Sequence, residues 1–318
     1  MKNLFITGSG GQDGNILTKL LKKKSNINIY LLAEKKKVNR SLKNTFLINL
    51  KKKKEIDTLF GKYTPDFVLH LGSKNPSFKE KNIQKFYTEN LISTKNIFLS
   101  TFKYNLKAKF VFANSSQIFK NKNGLVDENS KILISSDYTR FRIESHRYMM
   151  KYKKKYKLNY SNIILFNHDS IHRNPKFLIP RIVKALIKKN KKFMNFIIKK
   201  NIKADFSHAE DICNALVKIL INNKNYDNII LSSGKLTSIN EIIKNIIKKR
   251  NININIDLKK NEINDLNDLN DLNGLIGDNT LAKKKFNWKI KKNIFEASLE
   301  IYDFYLKQLR SRKIIKIK

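Results

Sequence analysis

Tyr138 and Arg142 stand four residues apart in Ser136-Asp137-Tyr138-Thr139-Arg140-Phe141-Arg142, a spacing that places both on one face of a helix. A tyrosine hydroxyl with a pKa of about 10 is a poor base at neutral pH. A cation one turn away stabilises the tyrosinate and brings proton transfer within reach. Upstream, Phe112-Ala113-Asn114-Ser115-Ser116-Gln117-Ile118-Phe119 ends an apolar strand in a pair of hydroxyls, which taken alone is the composition of an ordinary turn. Near the start of the chain, Asn3-Leu4-Phe5-Ile6 runs into Thr7-Gly8-Ser9-Gly10-Gly11-Gln12-Asp13-Gly14. Glycines at 8, 11 and 14 permit positive φ, close backbone approach to a pyrophosphate and tight helix packing, while free amides at the helix start face the anion. Such turns also serve as plain connectors, and position decides: this one opens an alternating strand and helix pattern.

That pattern continues along the chain. Asn15 to Lys24 places Ile16, Leu17, Leu20 and Leu21 at helical spacing. Asn28 to Leu32 reads as a second strand, Thr45 to Asn49 as a third, Phe67 to Leu71 as a buried fourth and Lys109 to Ala113 as a fifth, with Ile56, Leu59 and Phe60 marking a helical face. A helix from Tyr138 to about Lys157 precedes a strand from Asn162 to Phe166. Helices then follow over Pro180 to Lys189, Asp211 to Ile221 and Ser238 to Arg250, with a strand over Asn228 to Ser232. The segment from Asp265 to Asn273 repeats Asp-Leu-Asn and reads as a loop. The expected fold class is α/β, a doubly wound parallel Rossmann sheet with a smaller C-terminal substrate-binding lobe. Residues 1–166 form the dinucleotide-binding domain and 167–318 mainly the lobe, with about 204–232 returning to the sheet.

Composition bounds the partners. The 318 residues carry 66 Lys+Arg against 26 Asp+Glu, a net charge of +40, which raises nucleic acid or an anionic membrane. The lysines, however, are spread through nearly every segment among abundant Asn and Ile, and no basic stripe interleaves with aromatics, so no dedicated nucleic-acid role is expected. The lone Cys213 lies in a helical apolar pattern and reads as a core residue. Met1-Lys2 leads straight into the first strand and no apolar run approaches the ~20 residues of a membrane span, so a cytoplasmic protein without a leader is expected. No metal site is expected. After the second strand, Glu34 would receive ribose hydroxyls and favours NAD, whereas Lys35 to Lys37 would accept a 2′-phosphate and favour NADP. A solvated lysine run explains the same residues.

The TGxxGxxG spacing at Thr7 to Gly14 is that of extended short-chain dehydrogenases, and its Gly-Gln-Asp-Gly ending resembles the GDP-mannose 4,6-dehydratase family. The resemblance continues in order. Asn90 and Thr94 match Asn-x-x-Gly-Thr with Ser93 in place of glycine, and Tyr138 with Arg142 resembles Tyr-x-x-x-Lys. Leu165-Phe166-Asn167-His168-Asp169-Ser170-Ile171-His172-Arg173 is similar to Leu-Phe-Asn-His-Glu-Ser-Pro-Arg-Arg, the most discriminating stretch. Asp205-Phe206-Ser207-His208-Ala209-Glu210-Asp211 resembles Asp-Trp-Gly-His-Ala-x-Asp, and Gly277-Asp278-Asn279-Thr280 through Trp288 resembles Gly-Asp-Pro-Thr-Lys-Ala-Lys-x-x-Leu-Gly-Trp.

The resemblance implies NADP, with NAD as alternative, and a nucleotide-sugar substrate, a GDP-linked hexose, in a homodimer or homotetramer. It places cofactor contacts at Gly8, Gly11, Gln12, Asp13, Gly14, Lys35, Asn49, Leu50, Leu71, Gly72, Ser73, Tyr138 and Arg142, with His168 and Arg173 reaching cofactor across the assembly. Ser115, Asn167 and Arg181 fall at substrate positions, and Ser115, Gln117, Tyr138 and Arg142 at catalytic ones. Such a hydro-lyase oxidises a hexose at C4, eliminates water across C5 and C6 and returns hydride to C6. Two positions depart from the pattern. Arg142 replaces lysine with a larger planar fork, and Gln117 replaces the glutamate that serves as acid and base for elimination. The Asp-Leu-Asn repeat stands where the family carries an Arg-Pro that grips the diphosphate. A C4 reductase or epimerase, which needs only Ser115, Tyr138 and Arg142, and a catalytically decayed cofactor-binding relative are therefore the alternatives.

Overall fold

The computed structural model describes residues 1–22, 26–33, 44–73, 83–121, 123–256 and 274–315. The first half runs β1 (Lys2–Thr7), α1 (Gln12–Leu21), β2 (Ile27–Ala33), β3 (Thr45–Leu47), α2 (Lys53–Lys62), β4 (Phe67–His70), α3 (Ile83–Tyr104) and β5 (Lys109–Ser115). A 3-10 turn over Ser116–Ile118 leads to β6 (Gly124–Val126), α4 (Asp137–Tyr156) and β7 (Asn159–Leu165). The remainder comprises β8 (Asn167–Asp169), α5 (Leu178–Ile187), α6 (Lys191–Lys199), β9 (Lys203–His208), α7 (Ala209–Ile221), β10 (Ile229–Leu231), β11 (Leu236–Ser238), α8 (Ile239–Lys249), β12 (Leu275–Gly277), α9 (Thr280–Phe286) and α10 (Ile294–Ile315).

Seven strands form one sheet in the order β3-β2-β1-β4-β5-β7-β10, every pair parallel. A parallel strand is covered on both faces, which is why its apolar residues run on without polar alternation. The two faces still separate by strand period. Leu4, Ile6, Leu69, Val111 and Ile163 pack with α1, α7 and α9 on one side. Phe5, Val68, Phe110, Phe112 and Tyr160 pack with α2, α3 and α4 on the other. A second core gathers α5, α6, α8, α10 and β9. There β8 and β9 pair in parallel and β11 joins β9 antiparallel. Of residues 204–232, β9 lies in this smaller sheet, whereas α7 packs on the large sheet and β10 forms its edge.

Strand and helix ends fall within a few residues of the sequence expectation, with β5 running on to Ser115 and α4 starting at Asp137. The latter start is a capping box: Thr139 N–H donates to Ser136 Oγ at 3.2 Å, and Ser136 N–H donates to Thr139 Oγ1 at 2.9 Å. Cys213 is buried in the core. Glu34 to Lys37 and the Asp-Leu-Asn repeat lie outside the described residues. Among the described residues no helix is long and apolar enough to cross a membrane.

Lys109 enters the sheet as a buried lysine, and burial pushes its ammonium down to about 8. Its Nζ donates to the carbonyls of Ile219, Asn222 and Lys224 at 2.5–2.9 Å, supplying donors and charge to the end of α7. Lys109→Met keeps the stem and removes every donor. We expect it to lower the free energy of unfolding by about 2–4 kcal/mol in denaturant titrations; an unchanged midpoint would show that solvent replaces the ammonium.

Candidate active site

The sheet order reverses between β1 and β4, and the carboxyl ends of those strands open the crevice in which a doubly wound sheet takes its ligand. Gly8 has φ +69°, and a Cβ there would lie 2.9 Å from Gly72 Cα, so two glycines let the turn after β1 and the segment after β4 touch backbone to backbone. A Cβ on Gly14, in the first turn of α1, would lie 2.4 Å from the Ser9 carbonyl oxygen. Gly11 N–H donates to Gly8 O at 2.9 Å and begins α1 with no side-chain cap. The first amides of α1 are thereby left to an anion, with the positive end of the helix dipole behind them.

Gln12 and Asp13 turn their side chains inward. Gln12 Nε2 donates to the His168 carbonyl at 3.0 Å, and Ser170 Oγ donates to Gln12 Oε1 at 3.0 Å. His168 sets Nε2 3.1 Å from Asp13 Oδ2 and Nδ1 2.6 Å from the Phe166 carbonyl. Both partners are acceptors, so the ring satisfies both only as imidazolium. Burial opposes that charge, but the Asp13 carboxylate outweighs it and holds His168 above its ordinary pKa. Against its own burial, Asp13 is held below the usual carboxylate value by the His168 ring and by Arg173. Arg173 faces Asp169 at 3.4 Å and lies over the Phe177 ring at 3.9 Å. His168 and Arg173 therefore sit in a charge cluster that ties β8 and the loop after it to the start of α1.

Across the crevice, Gly72 N–H donates to Thr7 Oγ1 at 2.9 Å, which lies 2.7 Å from His70 Nδ1; His70 Nε2 lies 2.9 Å from Thr94 Oγ1. Burial and the nearby Arg142 cation push the His70 imidazole down to about 3, so the ring is neutral. Leu71, Gly72 and Ser73 follow directly and are half-buried at the mouth.

Ser115 ends β5, and the turn after it packs against α4. Its amide donates to Asn114 Oδ1 at 2.8 Å, and its hydroxyl accepts from Gln117 N–H at 3.3 Å. Tyr138 is held at the start of α4 by the capping box. Arg142 is buried, donating through Nη1 to the Ala113 carbonyl and through Nη2 to Ser73 Oγ at 2.7 Å. Its guanidinium centre lies 5.0 Å from the centroid of the Tyr138 ring. The planar fork thus bridges the ends of β4 and β5 and presents a fixed cation to the tyrosine face, whereas a lysine would offer one point charge. Ser115, Gln117, Tyr138 and Arg142 are gathered at the carboxyl ends of the central strands, next to the glycine turn.

Residues 5–300 match the family model described as GDP-mannose 4,6 dehydratase. The chain belongs to that family. It is 26% identical over 206 residues to GDP-mannose 4,6 dehydratase 2 of Arabidopsis thaliana, a match spanning 58% of this chain but only 55% of that relative's length. With GDP-mannose 4,6 dehydratase of Dictyostelium discoideum the identity is 24% over 343 residues, 94% of each chain. Among solved structures, UDP-glucose 4-epimerase of Thermotoga maritima with UDP-glucose is similar at a TM-score of 0.80 and 16% identity, covering 96% of this chain and 99% of that one. The dTDP-glucose 4,6-dehydratase of Bacillus anthracis in complex with NAD gives 0.78 at 16% identity, covering 96% and 97%. RMD from Pseudomonas aeruginosa complexed with NADPH gives 0.76 at 15%, covering 96% and 99%. At these identities the structural likeness is one of fold.

Other positions singled out by the resemblance to GDP-mannose 4,6 dehydratases make local contacts of their own. Asn49 is exposed, its side chain accepting from Lys51 N–H at 3.1 Å, and the Leu50 carbonyl accepts from Asn96 Nδ2 at 3.0 Å. Asn167 begins β8, and Arg181 lies on α5 over the Phe193 ring. Lys35 is outside the described residues. His208 caps α7, accepting from Glu210 N–H at 3.1 Å, while Asp211 accepts from the Lys291 and Lys292 amides at 2.8 Å. Sequence reasoning missed the Asn114–Asn162–Asn228 chain of side-chain amides, linked at 3.1 and 2.7 Å, that steadies the strand end carrying Ser115. It also missed His70.

The charged pair at the start of α1 has a testable pH dependence. The raised His168 contributes stability that is complete below its unfolded pKa of about 6.5 and is lost as pH rises through its folded value. The lowered Asp13 contributes above its unfolded value and loses its part only as pH falls through the depressed one. Thermal melts of H168Q should therefore show their largest deficit, about 1–3 kcal/mol, below the ordinary imidazole pKa of about 6.5, shrinking as pH rises above it. A deficit independent of pH would mean that the ring acts only by its volume.

Proposed function

We propose that the chain is a nucleotide-sugar 4,6-dehydratase-like enzyme acting on a GDP-linked hexose, with NADP, or NAD as the alternative, as cofactor. The single observation that carries this reading is the Arg142 guanidinium set against the Tyr138 ring and bonded to the Ala113 carbonyl, two residues before Ser115, and to Ser73 beside the glycine contact. The contact of Gly8 with Gly72 and the uncapped start of α1 fit a dinucleotide pyrophosphate. A nicotinamide dinucleotide bound there supplies the hydride chemistry that sugar C4 oxidation requires.

The side chains have separable tasks. Ser115 holds the sugar C4 hydroxyl, and Tyr138 takes its proton as C4 is oxidised; in a C4 reductase or epimerase Tyr138 also gives the proton back as C4 is reduced, whereas a dehydratase leaves C4 as the ketone. Arg142 sets a positive charge against the Tyr138 ring. Gln117 can hydrogen-bond a sugar hydroxyl, but an amide does not accept and return a proton at neutral pH. That residue favours a second reading, a C4 reductase or epimerase on a similar substrate, because those reactions use no acid and base at C5 and C6.

Incubation of the purified protein with GDP-mannose and NADP or NAD, followed by mass spectrometry, tests the first reading. Loss of one water from the sugar nucleotide is the expected outcome; an unchanged mass with cofactor bound would remove dehydration of this substrate. Gln117→Glu should raise the dehydration rate by about 10²-fold or more, the usual worth of a positioned acid and base. Tyr138→Phe should abolish turnover by either reading while leaving cofactor affinity within about threefold, and turnover at the native rate would exclude Tyr138 as the proton-transfer group.

A further inference from the structure

His70 is a buried polar residue in an otherwise apolar strand, paired in register with Thr7 of β1. A ring so placed stabilises only when every polar atom is satisfied. Thr7 Oγ1 already receives the Gly72 N–H, and among the described residues the only acceptor for its own proton is His70 Nδ1. Nε2 then carries the ring proton and donates to Thr94 Oγ1 on α3. The reverse tautomer would drive two donors onto Thr7 Oγ1 and orphan the hydroxyl proton. From Gly72 the chain continues to Ser73, which accepts from Arg142, and Arg142 lies against the Tyr138 ring. Beside it, Gly8 and Gly72 are already so close that neither tolerates a Cβ.

We propose that His70 is a positioning residue: as the neutral Nε2–H tautomer it fixes the Thr7 hydroxyl, and through it the spacing between the glycine turn and the Gly72–Ser73 strand end that anchors Arg142. This rests on the reading of the turn as a nicotinamide dinucleotide site. Thr7 can rotate about χ1; if it does, the Gly72 amide loses its acceptor and the backbone contact at the pyrophosphate site loosens. His70 prevents that rotation from behind, braced by Thr94 and by face-to-face packing on Phe112 at 5.8 Å.

Two measurements test this. In the cofactor-free protein, nitrogen NMR should show an unprotonated Nδ1 and a protonated Nε2 for His70, with no titration between about pH 5 and 9. NADPH and NADH are then titrated by nicotinamide fluorescence into wild type, H70L, T7V, the double variant and H70N. Both H70L and T7V should weaken the tighter-binding nucleotide about tenfold, and the double variant no further than the weaker single, because the two residues act through one bond. H70N returns an acceptor near the Nδ1 position and should stay within about threefold of wild type. If H70L does not fold, T7V and H70N carry the comparison. Wild-type affinity in H70L or T7V, additive losses in the double variant, or a protonated Nδ1 would each overturn the inference alone. A wild-type chain that binds neither nucleotide would overturn the cofactor reading, and this inference with it.

Discussion

The backbone contact between Gly8 and Gly72 sets the spacing of the mouth of the sheet. A Cβ on either residue would collide with the opposite strand end, so β1 and β4 meet here without side chains between them. Three placements depend on that contact. The turn after Gly8 directs the first amides of α1 toward the crevice, where an anion gains from both the amides and the helix dipole. On the other side, Ser73 comes one residue after Gly72 and takes a hydrogen bond from Arg142. Because β5 lies next to β4, Ala113 and Ser115 reach the same level, and one guanidinium bonds both strand ends.

A chain with a net charge of +40 also has to keep its interior electrostatically quiet. It does so by local pairing. His168 is held between a carboxylate and a carbonyl, Lys109 among three carbonyls, and Arg142 between a carbonyl and a hydroxyl. Asp205 is buried but accepts from Ser233 Oγ and from the amides of Ser233, Gly234 and Gly277, joining β9 to the ends of β10 and β12. Each charge is met within a few ångströms, so the interior does not depend on surface lysines whose fields are screened beyond about 10 Å. The surface pairs, such as Arg250 with Asp303, are exposed and contribute little by comparison.

What could be read from the sequence follows from the range of the interactions. The glycine turn, the apolar parallel strands and the Tyr138–Arg142 spacing are local patterns, and the structure has a turn, strands and a shared helix face at those places. His70 was not legible as anything but a strand residue, since its meaning depends on Thr7 lying opposite in a neighbouring strand and Thr94 on a helix. The partners of Arg142 were equally hidden: one is a carbonyl, which every residue carries, and the other is a serine in a different loop. The strands β8, β11 and β12 are three residues long, too short for a period to show, although the resemblance placed motifs at β8 and β12; β10, equally short, was legible as the apolar run from Asn228 to Ser232. Of the motif from Asp205 to Asp211, His208 caps α7, and Asp211 receives two amides from the segment that leads into α10, partners distant in sequence.

The two departures from the family pattern bear on different stages of the proposed chemistry. Two strand ends hold the Arg142 guanidinium where it faces Tyr138. Its replacement of the family's lysine keeps a cation beside the Tyr138 ring and exchanges a mobile ammonium for a rigid plane. Gln117 is different in kind. It retains the size and hydrogen-bonding reach of glutamate but loses the proton, so no rearrangement of the backbone restores acid and base function at that position. On the proposed reading, oxidation and reduction at C4 need only Ser115, Tyr138 and Arg142, whereas elimination requires a second proton shuttle. On that reading, dehydration would depend on a group other than residue 117, and a tyrosine already used at C4 would serve as that group only after its own proton transfer is complete.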